Sequence, residues 1–264
     1  MRLTVVGCSG SMSGPDSAAS CYLVQADGPD GEGGTRTWSI VLDLGSGAFG
    51  ALLRHLDPAH LDAVVLSHLH ADHVVDMTGL EVYRRYHPAG ALGPVPVLGP
   101  VGTAQRVGAL AMEEDLSALD ASFTFVDHVP GRSVEIGPLR IEAFPVEHPV
   151  LAFGLRVTGP AEDGAREVVL AYSGDSDACD GLVETARDAD LFLCEAAFQE
   201  GRDTVRGIHL TGRRAGEMAT RAAARHVVLT HLPPWNDHEV VRAEAATQYG
   251  GPIDLARPGA TWSL

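Results

Sequence analysis

Cysteine is scarce in this chain: Cys8, Cys21, Cys179 and Cys194 are the only four in 264 residues. They form no C-x-x-C pair and have no histidine at zinc-finger spacing, which argues against a metal finger or a disulfide framework; buried free thiols in a reducing cytoplasm are expected. No leader is expected, because Met1-Arg2 passes straight into the strand-like run Leu3 to Val6, with no hydrophobic signal region or small-residue cleavage site in between. No apolar stretch reaches the roughly 18 residues that a membrane span needs. Positive charge is sparse too, with 19 Lys and Arg against 35 Asp and Glu and a formal net charge of -16. Short clusters such as Arg84-Arg85 and Arg213-Arg214 do not make the basic stripe with which nucleic-acid binders replace counterions, so a long polyanion is disfavoured as a partner. Neither a repeat of solenoid length nor a low-complexity tract occurs. A cytoplasmic enzyme acting on a small molecule, with no membrane partner, is the expectation.

Histidine, by contrast, is concentrated. Ser67-His68-Leu69-His70-Ala71-Asp72-His73 places three imidazoles and a carboxylate in one short turn. Imidazoles mixed with aspartate suit zinc, with iron and manganese as alternatives. The run Leu61 to Leu66 before them is apolar and rich in β-branched residues, so the cluster follows the carboxyl end of a strand, where α/β proteins place their sites. Val227-Val228-Leu229-Thr230-His231-Leu232 repeats Val64-Val65-Leu66-Ser67-His68-Leu69 almost residue for residue. If the two strands lie in facing sheets, His68 and His231 converge on one cleft.

His68-x-His70-x-Asp72-His73, the isolated His148, Asp175 within Tyr172-Ser173-Gly174-Asp175-Ser176, and His231 resemble the ordered ligand series of the metallo-β-lactamase superfamily, over nearly the whole chain. His148-Pro149, the Cys194-Glu195-Ala196 segment and His209-Leu210-Thr211 are similar to the ribonuclease Z branch. Val6-Gly7-Cys8-Ser9-Gly10-Ser11, Arg84-Arg85-Tyr86-His87-Pro88 and Thr230-His231-Leu232-Pro233-Pro234-Trp235 resemble the actinobacterial atypical class II cyclic-AMP phosphodiesterases. The resemblance implies a four-layer αβ/βα sandwich, a single domain over residues 1–264, and two divalent metal ions, zinc first, with manganese or iron(II) as alternatives. By the same resemblance His68, His70 and His148 hold the first metal, Asp72, His73 and His231 the second, and Asp175 bridges them. Two such cations acidify a shared water from ~15.7 to near neutrality and settle the non-bridging oxygens of a phosphodiester. The expected reaction is therefore attack by a metal-bound hydroxide on a small phosphodiester of the 3′,5′-cyclic AMP type. Asp72 would orient the nucleophile, and His209 would protonate the leaving oxygen, oriented by Glu195. A homodimer is compatible with the resemblance.

Three other readings stay open. Ribonuclease Z carries a long tRNA-clamping arm between the positions of His148 and Asp175, where a tight turn around Gly159-Pro160 stands here. Thioester or lactone hydrolases share the fold. A catalytically inactive scaffold is the third, although no ligand position is degraded.

Around these residues, Leu3 to Val6, Cys21 to Val24, Trp38 to Leu44, Gly154 to Thr158, Glu167 to Tyr172 and Leu191 to Cys194 read as strands. Val95 to Leu98 reads as an edge strand because of Pro96, and hairpins are expected from Phe123 to Val146. Ala51 to Leu56, Val74 to Tyr86, Gly102 to Met112 and Gly181 to Arg187 read as helices, as does an Ala-rich segment capped by Thr211 and running to Arg225. The Gly/Ser-dense loop Gly7 to Ser20 is either a plain connector or a phosphate-facing cover. His87 with Arg84, Arg85 and Tyr86 either contacts substrate or forms a solvated helix end. The remaining histidines, His55, His60, His128, His226 and His238, lack ligand-like spacing, and most of them are expected at the surface.

Overall fold

The computed structural model describes all 264 residues, in two sheets with helices on both outer faces. The first sheet uses β1 (Arg2–Ser9), β2 (Ala18–Ala19), β3 (Cys21–Pro29), β4 (Thr35–Leu42), β5 (Ala63–Val65), β6 (Val95–Gly99) and β7 (Phe123–Asp127). The second uses β8 (Ser133–Ile136), β9 (Leu139–Pro145), β10 (Phe153–Pro160), β11 (Glu167–Tyr172), β12 (Leu191–Glu195), β13 (Val227–Thr230) and β14 (Ile253–Leu255). The last strand, β15 (Thr261–Ser263), returns to the first sheet beside β1. Strand orders are β15-β1-β3-β4-β5-β6-β7, with β2 beside β1, and β14-β13-β12-β11-β10-β9-β8. In both sheets an antiparallel part leads into a parallel part, β4 to β7 and β11 to β14.

Helices α1 (Ala48–Leu52), α2 (Ala71–Val74), α3 (Met77–Arg85) and α4 (Thr103–Ala111) belong to the first half, and α5 (Asp180–Ala186), α6 (Gly212–Arg221) and α7 (His238–Ala246) to the second. Three apolar cores result. Leu3, Val5, Leu42 and Val65 of one sheet meet Leu155, Leu170, Leu193 and Val228 of the other. Val64, Leu66 and Val97 pack under Leu52, Leu80 and Val107, and Phe192, Val227 and Leu229 under Leu182, Met218 and Val241. The inner parallel strands β5, β12 and β13 are buried along their whole length because both faces are covered. This is the expected αβ/βα sandwich.

Several local expectations need correction. Pro96 does not mark an edge, since β6 is paired on both sides; Pro96 itself pairs with Thr124 ahead of the first register with β5, where no ladder N–H is required. Val74 to Tyr86 is not one helix: α2 ends at Val74, and the chain re-enters a helix at Met77. The segment Phe123 to Val146 holds one hairpin, β8–β9; β7 pairs with β6, so the turn at Pro130-Gly131 is a crossing between sheets. Helix α6 stops at Arg221, short of Arg225.

Candidate metal centre

The carboxyl ends of the parallel strands deliver the site. Asp43 follows β4, His68 follows β5, Asp175 follows β11, Glu195 ends β12 and His231 follows β13. His68 and His231 thus approach from opposite sheets, as the repeated Val-Val-Leu-x-His strands implied. His68, His73, His231 and Glu195 are fully buried and Asp175 nearly so. Backbone strain gathers here: Ser11, Asp43 and His231 have left-handed φ values of 64°, 60° and 55°, and Gly174 before Asp175 has 57°.

Two donor clusters share Asp175: His68, His70, His148 and Asp175 form one, and Asp72, His73, Asp175 and His231 the other. In the first, His68 Nε2 and His148 Nε2 each lie 3.1 Å from His70 Nδ1, and His68 Nε2 is 3.6 Å from Asp175 Oδ2. In the second, His73 Nε2 is 3.2 Å from Asp175 Oδ1 and 3.4 Å from Asp72 Oδ2. His231 Nε2 is 3.3 Å from Asp175 Oδ2 and 3.7 Å from Asp72 Oδ2. Nitrogen and oxygen ligands about 2.0–2.2 Å from a tetrahedral ion stand roughly 3.3–3.6 Å from one another, so these spacings suit a first coordination shell. His73 Nε2 and Asp175 Oδ1 are buried with no hydrogen-bond partner, a costly arrangement that a cation relieves. The residues present therefore fit divalent metal.

Outer contacts set which ring nitrogen faces inward. His148 Nδ1 donates to Ile208 O at 2.9 Å, leaving Nε2 for the cluster. His231 Nδ1 lies 3.1 Å from Ser20 Oγ. Asp43 is the residue that sequence reasoning missed: its Oδ2 accepts from His73 Nδ1, Ser67 Oγ and Tyr172 OH, each at 2.7 Å, and its Oδ1 from Ser67 N at 2.7 Å. A carboxylate ending the apolar run Ile40 to Leu44, where it has to be buried, was the available signal. Asp177 was missed as well. It accepts from Arg206, Gly207 and Arg214 and so ties the His209 loop to the Asp175 segment.

His209 Nδ1 lies 2.9 Å from Glu195 Oε1, whose carboxylate also accepts from Ser176 N and Ala197 N. Asp175, Glu195 and His209 form a third group of donors in mutual reach, with His209 Nδ1 4.0 Å from Asp175 Oδ2. Burial opposes a charge on His209, but the Glu195 charge and hydrogen bond, with the Asp175 charge, outweigh it and the imidazole is pushed up to about 9. Burial likewise opposes a charge on His73, and the Asp175 and Asp43 carboxylates overcome it, raising that ring well above the usual histidine range.

The other sequence candidates lie apart. Arg84 is spent on Gly93 O, and Arg85 on Glu81, Glu113 and Ala118 O, so this helix end offers the cleft no free guanidinium; His87 packs on Tyr83. His128 is not at the surface, as its Nε2 donates to Leu66 O at 2.9 Å and its ring packs on Phe153 behind the site. All four cysteines are free, and Cys8, Cys21 and Cys194 are buried.

The model of the Beta-lactamase superfamily domain matches residues 39–232, which span every residue of the two donor clusters. The chain belongs to the metallo-β-lactamase superfamily. Its sequence is 46% identical over 266 residues to the uncharacterized protein ML1173 of Mycobacterium leprae, covering 100% of this chain and 89% of that one. It is 29% identical over 264 residues to the probable metallo-hydrolase YhfI of Bacillus subtilis, covering 99% of each. The crystal structure of YhfI superposes with a TM-score of 0.79 at 26% identity, over 100% of this chain and 98% of that one. Ribonuclease Z of Mycobacterium bovis is 29% identical over 281 residues, covering 97% of this chain and 95% of that one. This superfamily member stands in the ribonuclease Z-like branch and is a metal-dependent hydrolase. No helix is long and apolar enough to cross a membrane.

Proposed function

We propose that this metallo-β-lactamase-fold hydrolase cleaves small phosphodiesters, of which 3′,5′-cyclic AMP is the type, as one unit over residues 1–264. The observation that carries the reading is His209, charged against Glu195 and set beside the shared carboxylate Asp175. An alkoxide leaving group needs a proton, whereas the acyl reactions of the same fold depend more on an oxyanion stabiliser. The similarity to a ribonuclease Z supports phosphorus as the centre attacked.

In this reading His68, His70, His148 and Asp175 hold one divalent ion and Asp72, His73, Asp175 and His231 a second, with zinc the best match to the nitrogen-rich donors. The bound ions would acidify water and offset phosphate charge. Asp72, half-buried at the rim, accepts a hydrogen bond from the attacking water and aims it in line with the leaving oxygen. His209 keeps its Nδ1 on Glu195 and delivers the proton from Nε2. Size selection follows from the chain's own surface. A net charge of -16 repels a polyanion, and β10 and β11 are joined by the short turn after Pro160, with no inserted arm.

The test is product analysis with zinc- or manganese-loaded protein and 3′,5′-cyclic AMP. Conversion to 5′-AMP by the parent and not by Asp72→Ala supports the proposal. Absence of conversion at full metal occupancy removes cyclic AMP and directs attention to thioester and lactone substrates.

A further inference from the structure

The Gly/Ser-rich loop after β1 enters the metal centre through its backbone. Ser9 pairs with Leu232 in a parallel bridge and Gly10 N donates to Leu232 O at 3.2 Å, so the loop runs along the segment that carries His231. A Cβ on Gly10 would overlap the His231 carbonyl, which makes glycine the residue that allows the approach. Ser11 then turns into the left-handed region at φ 64°. The turn directs the Ser11 N–H at His231 Nε2, 3.3 Å away, its sole hydrogen-bond partner.

That partner has another commitment. His231 Nε2 is the ring nitrogen that faces Asp72 and Asp175, while Nδ1 is occupied by Ser20. An imidazole nitrogen offers one lone pair. With a cation in the second cluster that lone pair is used, and the Ser11 N–H is left unpaired at the edge of the cluster. The surroundings offer an incoming anion few other donors. All 19 basic residues are arginine and none is lysine, and Arg206 and Arg214 are both spent on Asp177.

We infer that the Ser11 backbone amide donates a hydrogen bond to a non-bridging oxygen of the substrate phosphoryl group, on the Asp72–His231 side of the cleft. Its role is that of a fixed dipole aimed where negative charge collects, held in place beforehand by Gly10 and by the strained Ser11 backbone. The serine hydroxyl is not required; the N–H and the turn are. The inference rests on the phosphodiester reading above and assigns a residue within that site.

The test uses zinc-loaded, 15N-labelled protein titrated with inorganic phosphate, the Ser11 amide signal being assigned with the Ser11→Gly variant, which tolerates the same φ. A downfield shift of the Ser11 amide proton, saturating at the phosphate concentration that calorimetry gives for binding, is the expected result. Gly10→Ala, with zinc content unchanged, is expected to weaken phosphate binding about ten-fold or more, as loss of one hydrogen bond to a charged group does. Phosphate binding with a motionless Ser11 amide overturns this inference and leaves the phosphodiester reading standing. Failure of the zinc-loaded protein to bind phosphate at all removes both.

Discussion

Asp43 Oδ2 sits 2.7 Å from His73 Nδ1, and the same oxygen takes hydrogen bonds from Ser67 and Tyr172. One buried carboxylate thus orients a donor of the second cluster, fixes the turn that begins at Ser67, and joins the two sheets through Tyr172. Replacing Asp43 with asparagine keeps the volume and removes the charge. Second-sphere changes of this kind cost about 10–100-fold in metal affinity. Competition against a chromogenic chelator is expected to show that loss at one of two binding events, with the other nearly unchanged.

His209→Ala is expected to lower kcat on a cyclic nucleotide by about 10²–10⁴, the usual contribution of a general acid. On an aryl phosphodiester with a nitrophenolate leaving group the loss is expected to shrink to a few-fold, because that group departs without a proton. Equal losses on both substrates would assign His209 to structure instead.

The pH profile has a definite sign. A general acid works while protonated, so activity on an alkyl phosphodiester is expected to fall as pH rises through about 9, where His209 titrates. Glu195→Gln withdraws the charge that lifts it, and the alkaline limb is expected to move to lower pH. The same raised value contributes stability that is complete below the unfolded histidine value near ~6.5 and is lost as pH rises through about 9. Melting curves across that window, compared between parent and Glu195→Gln, measure the second effect apart from catalysis.

Metal removal bears on both folding and protonation. Without a cation the buried Asp175 carboxylate and the imidazoles around it lack their ligand contacts, so chelation is expected to lower Tm, with recovery on adding zinc. His73 is held protonated by Asp175 and Asp43, so the second cluster has to release a proton to bind metal. Affinity there is therefore expected to increase with pH. Calorimetric titrations in buffers of different ionisation enthalpy count the proton.

Much of the donor set was legible because it is local. His68, His70, Asp72 and His73 fall within one turn, and the repeated Val-Val-Leu-x-His strands marked where His231 would stand. His148, Asp175 and His209 are isolated in the chain and were placed by resemblance to a family, since no spacing links them. The misread elements share a physical cause. Pro96 pointed to an edge, yet its missing N–H falls just ahead of the β5 ladder and costs nothing in an interior strand. The break at Val75-Asp76 splits a helix-like pattern because the segment bends back to the first sheet, with Asp76 N donating to Leu44 O and its carboxylate accepting from Phe49 N. The arginines at the end of α3 are engaged by Gly93 O, Ala118 O and Glu113 further along the chain, partners that one helix viewed alone does not reveal, and Arg85 also by Glu81 one turn back in α3.

The chain alone determined the donor inventory, the acidic balance, the alternation of strands and helices, and hence the layered α/β class, because each depends on residue type and short-range period. Tertiary structure decided the rest: that Asp175 stands between two clusters, that Glu195 charges His209, that Asp43 orients His73, and that Ser11 N–H meets His231. The hydrogen-bonded pairs are separated by 14 to 220 residues; parallel strands ending side by side at one rim bring Asp43 to His73 and Glu195 to His209, and the packing of the two sheets face to face brings Ser11 to His231 and Asp175 between the clusters.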